Sequence, residues 1–176
     1  MTTAKVKLRS NGSYQEVPIT GKDKPEVTQD VKDGWQNIVN LIASFTDVRA
    51  GLIMEITKES MQVFMMSENE SNPYKAGGND YLCHGLYCET VIGTDSELSV
   101  VDARKLEAWK NNPDMDIDMI SYHGLPIKWP DGEFFGTICV LDDKPMDLSD
   151  NQQHLLREFK ASLEKDLHLL VEKNKN

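Results

Sequence analysis

The chain has 176 residues, of which 39% are hydrophobic and 27% charged, with a formal net charge of −10 at pH 7; this is typical of one soluble globular domain with a sizeable core. The negative charge argues against direct binding to nucleic acid, and the sequence has neither the run of about 20 apolar residues that spans a membrane nor the apolar segment of a signal peptide. The three cysteines are an odd number for a disulfide framework, so we expect a cytoplasmic protein.

Residues 1–25 combine lysines, glycines and turn-forming residues with a weak apolar alternation at 6–8 and at 17–19. The alternation fits a short β-hairpin, whereas the composition fits a leader or linker without fixed structure. Both alternatives stay open at this point. The rest of the chain, 26–176, is predicted to form a single domain that includes a C-terminal helix at about 149–174.

An amphipathic helix of about five turns is predicted after Pro25, because apolar side chains recur there at the helical period. The members of this stripe are Val27, Val31, Trp35, Ile38, Ile42 and Phe45. A β-hairpin is predicted next, from strands 51–56 and 61–66. The following segment, 67–80, is rich in Asn, Ser and Gly and reads as a loop. A loop of this length is unusual in a compact domain unless it covers something.

The middle of the chain predicts short elements. Residues 80–92 read as a helix capped by Asn79 or Asp80, residues 98–102 as a short strand, and residues 103–112 as a second short helix. The segment PDMDIDM that follows alternates acidic and apolar residues and lacks the pattern of a calcium-binding loop. We interpret it as the solvated start of a strand.

The stretch LPIKWPDGEFFGTICVLDD, residues 125–143, predicts two strands joined by a tight turn at Pro-Asp-Gly. Its last strand, 134–141, has apolar residues on both faces. We expect Phe135, Cys139 and Leu141 on one face and Phe134, Ile138 and Val140 on the other. A strand that is apolar on both faces belongs to a sheet that is covered on both sides.

Consecutive hairpins predict an antiparallel sheet in an α+β fold, with the terminal helices covering one face. The apolar stripe of the C-terminal helix consists of Leu156, Phe159, Leu163, Leu167 and Leu170. Short helices and the long loop must then cover the other face. A pocket for a small molecule tends to form under such a roof.

The sequence GLPIKWPDGEFFGTICVLDDKP, residues 124–145, preceded by LYCETVI and LSVVDA, resembles a GAF domain, the small-molecule sensor module of bacterial signalling proteins. The resemblance covers about residues 27–172. It implies a six-stranded antiparallel sheet with terminal helices on one face and a ligand pocket on the other. It also implies a homodimer joined through the terminal helices, and an output domain such as a kinase or cyclase outside this chain.

Polar residues of the roof are the candidates for binding a ligand. We predict ligand contacts from Tyr87, Cys88, Glu89, Asp102 and Tyr122. His123 is a further polar candidate, but strand alternation places it and Tyr122 on opposite faces. Cyclic nucleotides, small metabolites and aromatic acids all stay open as ligands. No phosphate-binding loop or catalytic motif is visible, so an enzyme is not expected.

The cysteines raise two further hypotheses. His84 and Cys88 would lie one turn apart on a helix, but a metal or haem site would need a third ligand such as His123 or Cys139. Bilin-binding GAF domains carry a Cys-His pair in the segment before the last two strands, and the corresponding segment here has no cysteine. Free methionine sulfoxide reductases of this fold use three cysteines, but Cys139 lies inside an apolar strand, where we expect an inert thiol. Bilin and haem are therefore not expected.

The terminal helices favour a second function, a dimerisation module without a ligand. Their apolar stripes could form a four-helix bundle between two chains, or simply pack on the back of the sheet. The side chains predicted for the dimer interface are Trp35, Ile38, Leu156, Phe159, Leu163 and Leu170. A sensor, a dimerisation module and a cysteine-dependent reductase are thus the three hypotheses.

Overall fold

The computed structural model describes residues 3–176 and has a six-stranded antiparallel sheet at its centre, in the order β5-β4-β3-β8-β7-β6. The strands are β1 (Lys5–Ser10), β2 (Ser13–Pro18), β3 (Ala50–Ile56), β4 (Ser60–Met66), β5 (Asn79–Tyr81), β6 (Leu98–Val100), β7 (Ser121–Lys128) and β8 (Phe134–Asp142). The helices are α1 (Gln29–Thr46), α2 (Tyr87–Thr94) and α3 (Asp150–Asn174). The predicted α+β fold with a six-stranded antiparallel sheet is confirmed.

Helices α1 and α3 cover one face of the sheet, as predicted. Their buried side chains pack against Ile53 of β3 and Ile138 of β8 in one apolar cluster. α3 begins with a capping box in which the Ser149 hydroxyl accepts from the Gln152 backbone N–H and the Gln152 side chain accepts from the Ser149 N–H. Phe45 of the predicted α1 stripe is exposed.

Strand β8 lies between β3 and β7, and all nine of its residues are buried. Both faces of the sheet are therefore covered. Two face assignments are wrong, because Phe135 packs on the helix side of the sheet beside Trp35 and Phe134 packs on the roof side with Cys139 and Leu141. The cause is a β-bulge: Ile127 pairs with Gly136 and Lys128 with Phe134, so Phe135 is an extra residue and the alternation shifts there.

The roof over the other face differs from the sequence prediction in its local elements. Residues 79–81 form the edge strand β5, and the helix predicted for 80–92 begins only at Tyr87. Cys83 and Gly85 have φ angles of 71° and 76°, and such left-handed residues interrupt a helix. The segment predicted as the short helix 103–112 and the following strand start form three short 3-10 helices. These helices span Ala103–Lys105, Glu107–Trp109 and Pro113–Ile117.

The N-terminal segment is a hairpin of β1 and β2, the first of the two alternatives for residues 1–25; residues 1 and 2 lie outside the described part of the chain. The hairpin packs on α2 at the edge of the roof. Val6, Leu8, Val17 and Ile19 are buried in the same apolar cluster as the roof side of the sheet. Beyond it, the buried ammonium of Lys24 lies 2.7 Å from the Glu133 carboxylate in the β7–β8 turn.

Candidate functional site

A cavity of about 250 Å³ lies between the roof and strands β3, β4 and β8. Its roof consists of residues 73–80, the start of α2 and the 3-10 helix Pro113–Ile117. The cavity is closed on the sheet side, because the strand backbones pair with one another there. The space between the sheet and the roof is partly open to solvent.

The floor of the cavity is apolar, because strand alternation directs every second side chain of the sheet towards the roof. The side chains of the floor are Leu52 and Met54 from β3, Met61 and Val63 from β4, and Cys139 and Leu141 from β8. Ile53, between two of the β3 floor residues, faces the terminal helices instead. The same strands therefore contact both the cavity and the helix layer.

Backbone hydrogen bonds hold the long loop over the floor. The Val63 N–H donates to the carbonyl of Gly78, and the Val63 carbonyl accepts from the N–H of Gly77, at 2.8 and 2.9 Å. At the start of the loop, the Asn72 side chain donates to the Ser67 carbonyl at 3.1 Å. The loop from residue 67 onwards thus has the covering role that its length indicated.

The polar end of the cavity is built around Asp114. The Tyr74 hydroxyl donates to Asp114 Oδ1 at 2.7 Å. The Asn112 side chain accepts from the Asp114 backbone N–H at 3.1 Å, which starts the 3-10 helix that carries Asp114. Burial raises the pKa of the Asp114 carboxyl to about 6, against the Tyr74 hydrogen bond, and the nearby charge of Asp80 adds to the increase.

Of the predicted ligand contacts, Cys88 lies in the wall of the cavity. Tyr87 and Tyr122 lie behind that wall, stacked on each other with ring centroids 4.9 Å apart. The Tyr122 hydroxyl is 3.3 Å from Cys88 Sγ, and the Tyr87 hydroxyl donates to the Met119 carbonyl at 2.9 Å. Both tyrosines thus pack behind the cavity wall and do not line the cavity.

Glu89 and Asp102 are occupied by contacts with their own chain. The buried carboxylate of Glu89 accepts from four backbone N–H groups, those of Arg9, Cys83, His84 and Leu86. It ties the hairpin to the loop before α2 and begins that helix. Asp102 accepts from the backbone N–H and the guanidinium of Arg104, at the start of the first 3-10 helix. Neither residue lines the cavity.

His123 faces away from the cavity, on the side of α3. Its Nε2 lies 2.8 Å from Glu97 Oε2, and Glu97 also accepts from Arg157 of α3 at 2.7 Å. Burial lowers the pKa of His123, although the Glu97 carboxylate opposes this effect. The prediction that Tyr122 and His123 lie on opposite faces is confirmed.

The three cysteines differ in their surroundings. Cys83 is half-buried in the loop before α2, whereas Cys88 is buried in the wall of the cavity and Cys139 in its floor. Burial raises the pKa of the Cys139 thiol, which disfavours the reactive thiolate. Since His84 precedes α2, it does not share a helical face with Cys88 as predicted. Within residues 3–176, no group of three or more His, Cys, Asp or Glu residues could hold a metal ion.

The side chains predicted for a dimer interface lie mostly inside this chain. Four of the six are buried against the sheet, namely Trp35, Leu156, Leu163 and Leu170. Ile38 and Phe159 are half-buried. The four buried side chains therefore belong to the core and offer a partner chain no surface, which corrects the interface predicted from the helical stripes.

Sequence reasoning missed the residues of the polar end. Tyr74 stands in the long loop, and Asp114 stands in the segment interpreted as a solvated strand start. The only signal for Tyr74 was the unusual length of its loop. For Asp114 the signal was the proline before it, which is favoured in the first turn of a helix and interrupts the alternation of a strand.

The GAF domain family model matches residues 30–166 of the chain. No curated protein matches the sequence. No helix within residues 3–176 is long and apolar enough to cross a membrane.

Several solved structures share the fold. The GAF domain from Acinetobacter phosphoenolpyruvate-protein phosphotransferase is 18% identical, with 77% of this chain and 80% of that chain covered and a TM-score of 0.60. The phycoerythrobilin-bound GAF domain from a cyanobacterial phytochrome is 12% identical, with coverage of 84% and 90% and a TM-score of 0.68. The type II free methionine-R-sulfoxide reductase from Thermoplasma acidophilum is 12% identical, with coverage of 78% and 92% and a TM-score of 0.58. At these identities the similarity shows the fold alone.

Proposed function

The chain belongs to the family of GAF domains, which generally serve as sensor or regulatory modules of signalling proteins, and we propose that it binds a small molecule in the cavity under its roof. The observation that carries this proposal is the cavity between the sheet and the roof, with an apolar floor and the Asp114–Tyr74 pair at one end. Sites for small molecules commonly combine apolar walls with a few placed polar groups. We place this function in the cytoplasm.

Signal transmission follows from the position of the cavity. Leu52 and Met54 line it, while Ile53 of the same strand packs against the helix layer. A ligand that shifts β3 therefore also shifts the surface on which α1 and α3 lie. It changes the helix arrangement only if it binds two arrangements with different affinities. An output domain such as a kinase or cyclase outside this chain would receive that change.

A homodimer through the helix layer is part of the proposal. Its surface would be the outer face of the helices, where Leu41 and Phe45 of α1 and Leu169 of α3 are 55%, 51% and 47% exposed. Exposed apolar side chains on adjacent helices are what an interface between copies buries. The mass of the protein in solution tests this, and a monomer at working concentrations contradicts it.

A reductase is the weaker alternative. The solved reductase shares the fold, but the buried Cys139 thiol, with its raised pKa, is a poor nucleophile. Loss of a methionine sulfoxide reductase activity on Cys88→Ser or Cys139→Ser would be needed to support it.

The test of ligand binding is a thermal-unfolding screen of the wild type and of Val63→Phe against a collection of metabolites. Val63 is 4% exposed and lies in the cavity floor directly under the loop. A phenyl group there fills the cavity, whereas Val63→Ile adds one carbon and serves as the control. A true ligand at about 100 times its Kd raises the Tm of the wild type and the control by about 5–10 °C. The Tm of Val63→Phe stays unchanged. Equal increases in all three proteins, or none in any, contradict the proposal.

A further inference from the structure

Building on the proposed function, we propose that the ligand of this cavity carries a cationic nitrogen group on a small apolar body, and that the Asp114 carboxylate binds that group. An ammonium, an amidinium or a protonated heteroaromatic ring would serve. The inference rests on three features of the cavity: its charge, the hydrogen bonds at its polar end and its size.

The charge of the cavity wall is negative. The carboxylates of Asp114 and Asp80 line it, together with one ammonium group, that of Lys75. Lys75 lies in the roof loop and is exposed. Among residues 3–176, no Lys, Arg or His nitrogen lies within 4.0 Å of the Asp114 carboxylate. The chain as a whole has a net charge of −10. An anionic ligand would be repelled at this end of the cavity, and a cation would be attracted.

The hydrogen bonds leave a place for such a group. Asp114 Oδ1 accepts from the Tyr74 hydroxyl; the Asn112 side chain also lies beside the carboxyl and lowers its pKa, but among the described residues no side-chain donor is within hydrogen-bond geometry of Oδ2. A carboxylate that is partly withdrawn from water, as the half-buried Asp114 is, is stabilised when donors or a cation compensate for the lost hydration. A ligand N–H aimed at Oδ2 would supply both a charge and a donor, and charge-assisted hydrogen bonds of this kind are the stronger ones.

The rest of the cavity limits the body of the ligand. Six side chains of the floor, among them Leu52 and Val63, are apolar or weakly polar, so the body must be apolar. The volume of about 250 Å³ is below the roughly 300–1,000 Å³ of drug-sized sites. A single ring with a short arm fits this description, and a tetrapyrrole does not.

Three probes with one body and different heads test the inference: 2-phenylethylamine, 2-phenylethanol and phenylacetate. Their affinities are measured by isothermal titration calorimetry at pH 7.5 with the wild type and with Asp114→Asn. Asn keeps the shape of the side chain and the acceptor for Tyr74 but removes the charge. We expect the amine to bind most tightly to the wild type, and Asp114→Asn to weaken it by about 10- to 100-fold. The affinity for the alcohol should change little.

The amine titration is repeated at lower pH. Below pH 6 the affinity of the wild type should fall by about tenfold per pH unit, because protonation of Asp114 competes with the amine. Of the groups that face this carboxyl, burial raises the pKa values of Tyr74, Tyr87 and Cys139, so these stay neutral. Asp80, whose pKa burial also raises, adds negative charge only while it is ionised. Asp114→Asn should show no such decrease.

Three results overturn the inference: equal binding of the three probes, tighter binding of phenylacetate, or amine binding that survives in Asp114→Asn. Failure of the amine to bind at millimolar concentration also overturns it. None of these results touches the proposed function, which fails only if no metabolite distinguishes the wild type from Val63→Phe. A screen hit that is neutral or anionic would thus support the function while refuting the cationic ligand.

Discussion

Replacing Leu8 by Ala should lower the free energy of unfolding by about 2–5 kcal/mol, the usual cost of truncating a buried leucine. Leu8 is 0% exposed and lies on β1, in the same apolar cluster as Tyr87 and Ile92 of α2. The Ala side chain would leave a void between the hairpin and the roof. Urea unfolding followed by circular dichroism measures the difference in free energy.

The matched control for Leu8→Ala is Glu16→Ala on the partner strand of the same hairpin. Glu16 is exposed, so its replacement should change the free energy of unfolding by less than about 0.5 kcal/mol. If both variants are as stable as the wild type, the hairpin does not pack on the domain in solution. In that case the hydrogen bond from the Arg9 N–H to the Glu89 carboxylate, which joins the hairpin to the roof, would not form in solution either.

Replacing Asp114 by Asn should stabilise the empty protein at pH 7.5 by about 1–3 kcal/mol. The folded state raises the pKa of this carboxyl from 3.8 to about 6, and a difference of this size corresponds to about 3 kcal/mol at most. The loss in the free energy of unfolding of the wild type reaches its full value above pH 6, where the carboxyl is ionised in both the folded and the unfolded state. The loss disappears below pH 3.8, where the carboxyl is neutral in both.

The gain from Asp114→Asn should therefore grow with pH between about 4 and 6 and stay constant above. Unfolding in urea at several pH values measures it. Asp116→Asn is the control, because Asp116 lies on the same 3-10 helix with its side chain exposed, and its replacement should have no effect beyond about 0.5 kcal/mol. A gain that is the same at pH 4 and pH 7.5, or a loss of stability, contradicts this account of Asp114.

A residue that destabilises the empty protein is informative about function. Carboxyl groups with a strongly perturbed pKa in a cleft are frequent at functional sites. Asp114 meets this description at the end of the cavity, beside Tyr74. A ligand that supplied a donor or a cation to the carboxyl would remove this cost.

The layers of the fold could be predicted from the sequence because they depend on strong periodic patterns. Strand β8 is apolar on both faces, and the helical stripes of α1 and α3 are long. The local elements of the roof and the exact alternation of β8 depend on backbone geometry, which apolar periodicity does not report. The bulge at Phe135 shifted an alternation, and the left-handed Cys83 and Gly85 replaced most of a predicted helix. β5, with three residues, is too short to show any period.

The candidate site was less accessible from the sequence than the fold. Cys88 lies in the cavity wall because the part of the predicted helix that carries it does form, whereas Tyr87 and Glu89 are engaged within the chain. Asp114 and Tyr74 are 40 residues apart. Only the folding of the long loop over the sheet brings them together, and neither residue type is distinctive on its own.

The most direct test of the central claim, a ligand inside the roofed cavity, is the native mass of the wild type after incubation with the small-molecule fraction of a cell extract. Val63→Phe is treated in the same way. The account predicts an added mass of one small molecule per wild-type chain that disappears on denaturation, and no added mass on Val63→Phe. An unchanged wild-type mass, or the same added mass on both proteins, would contradict the claim.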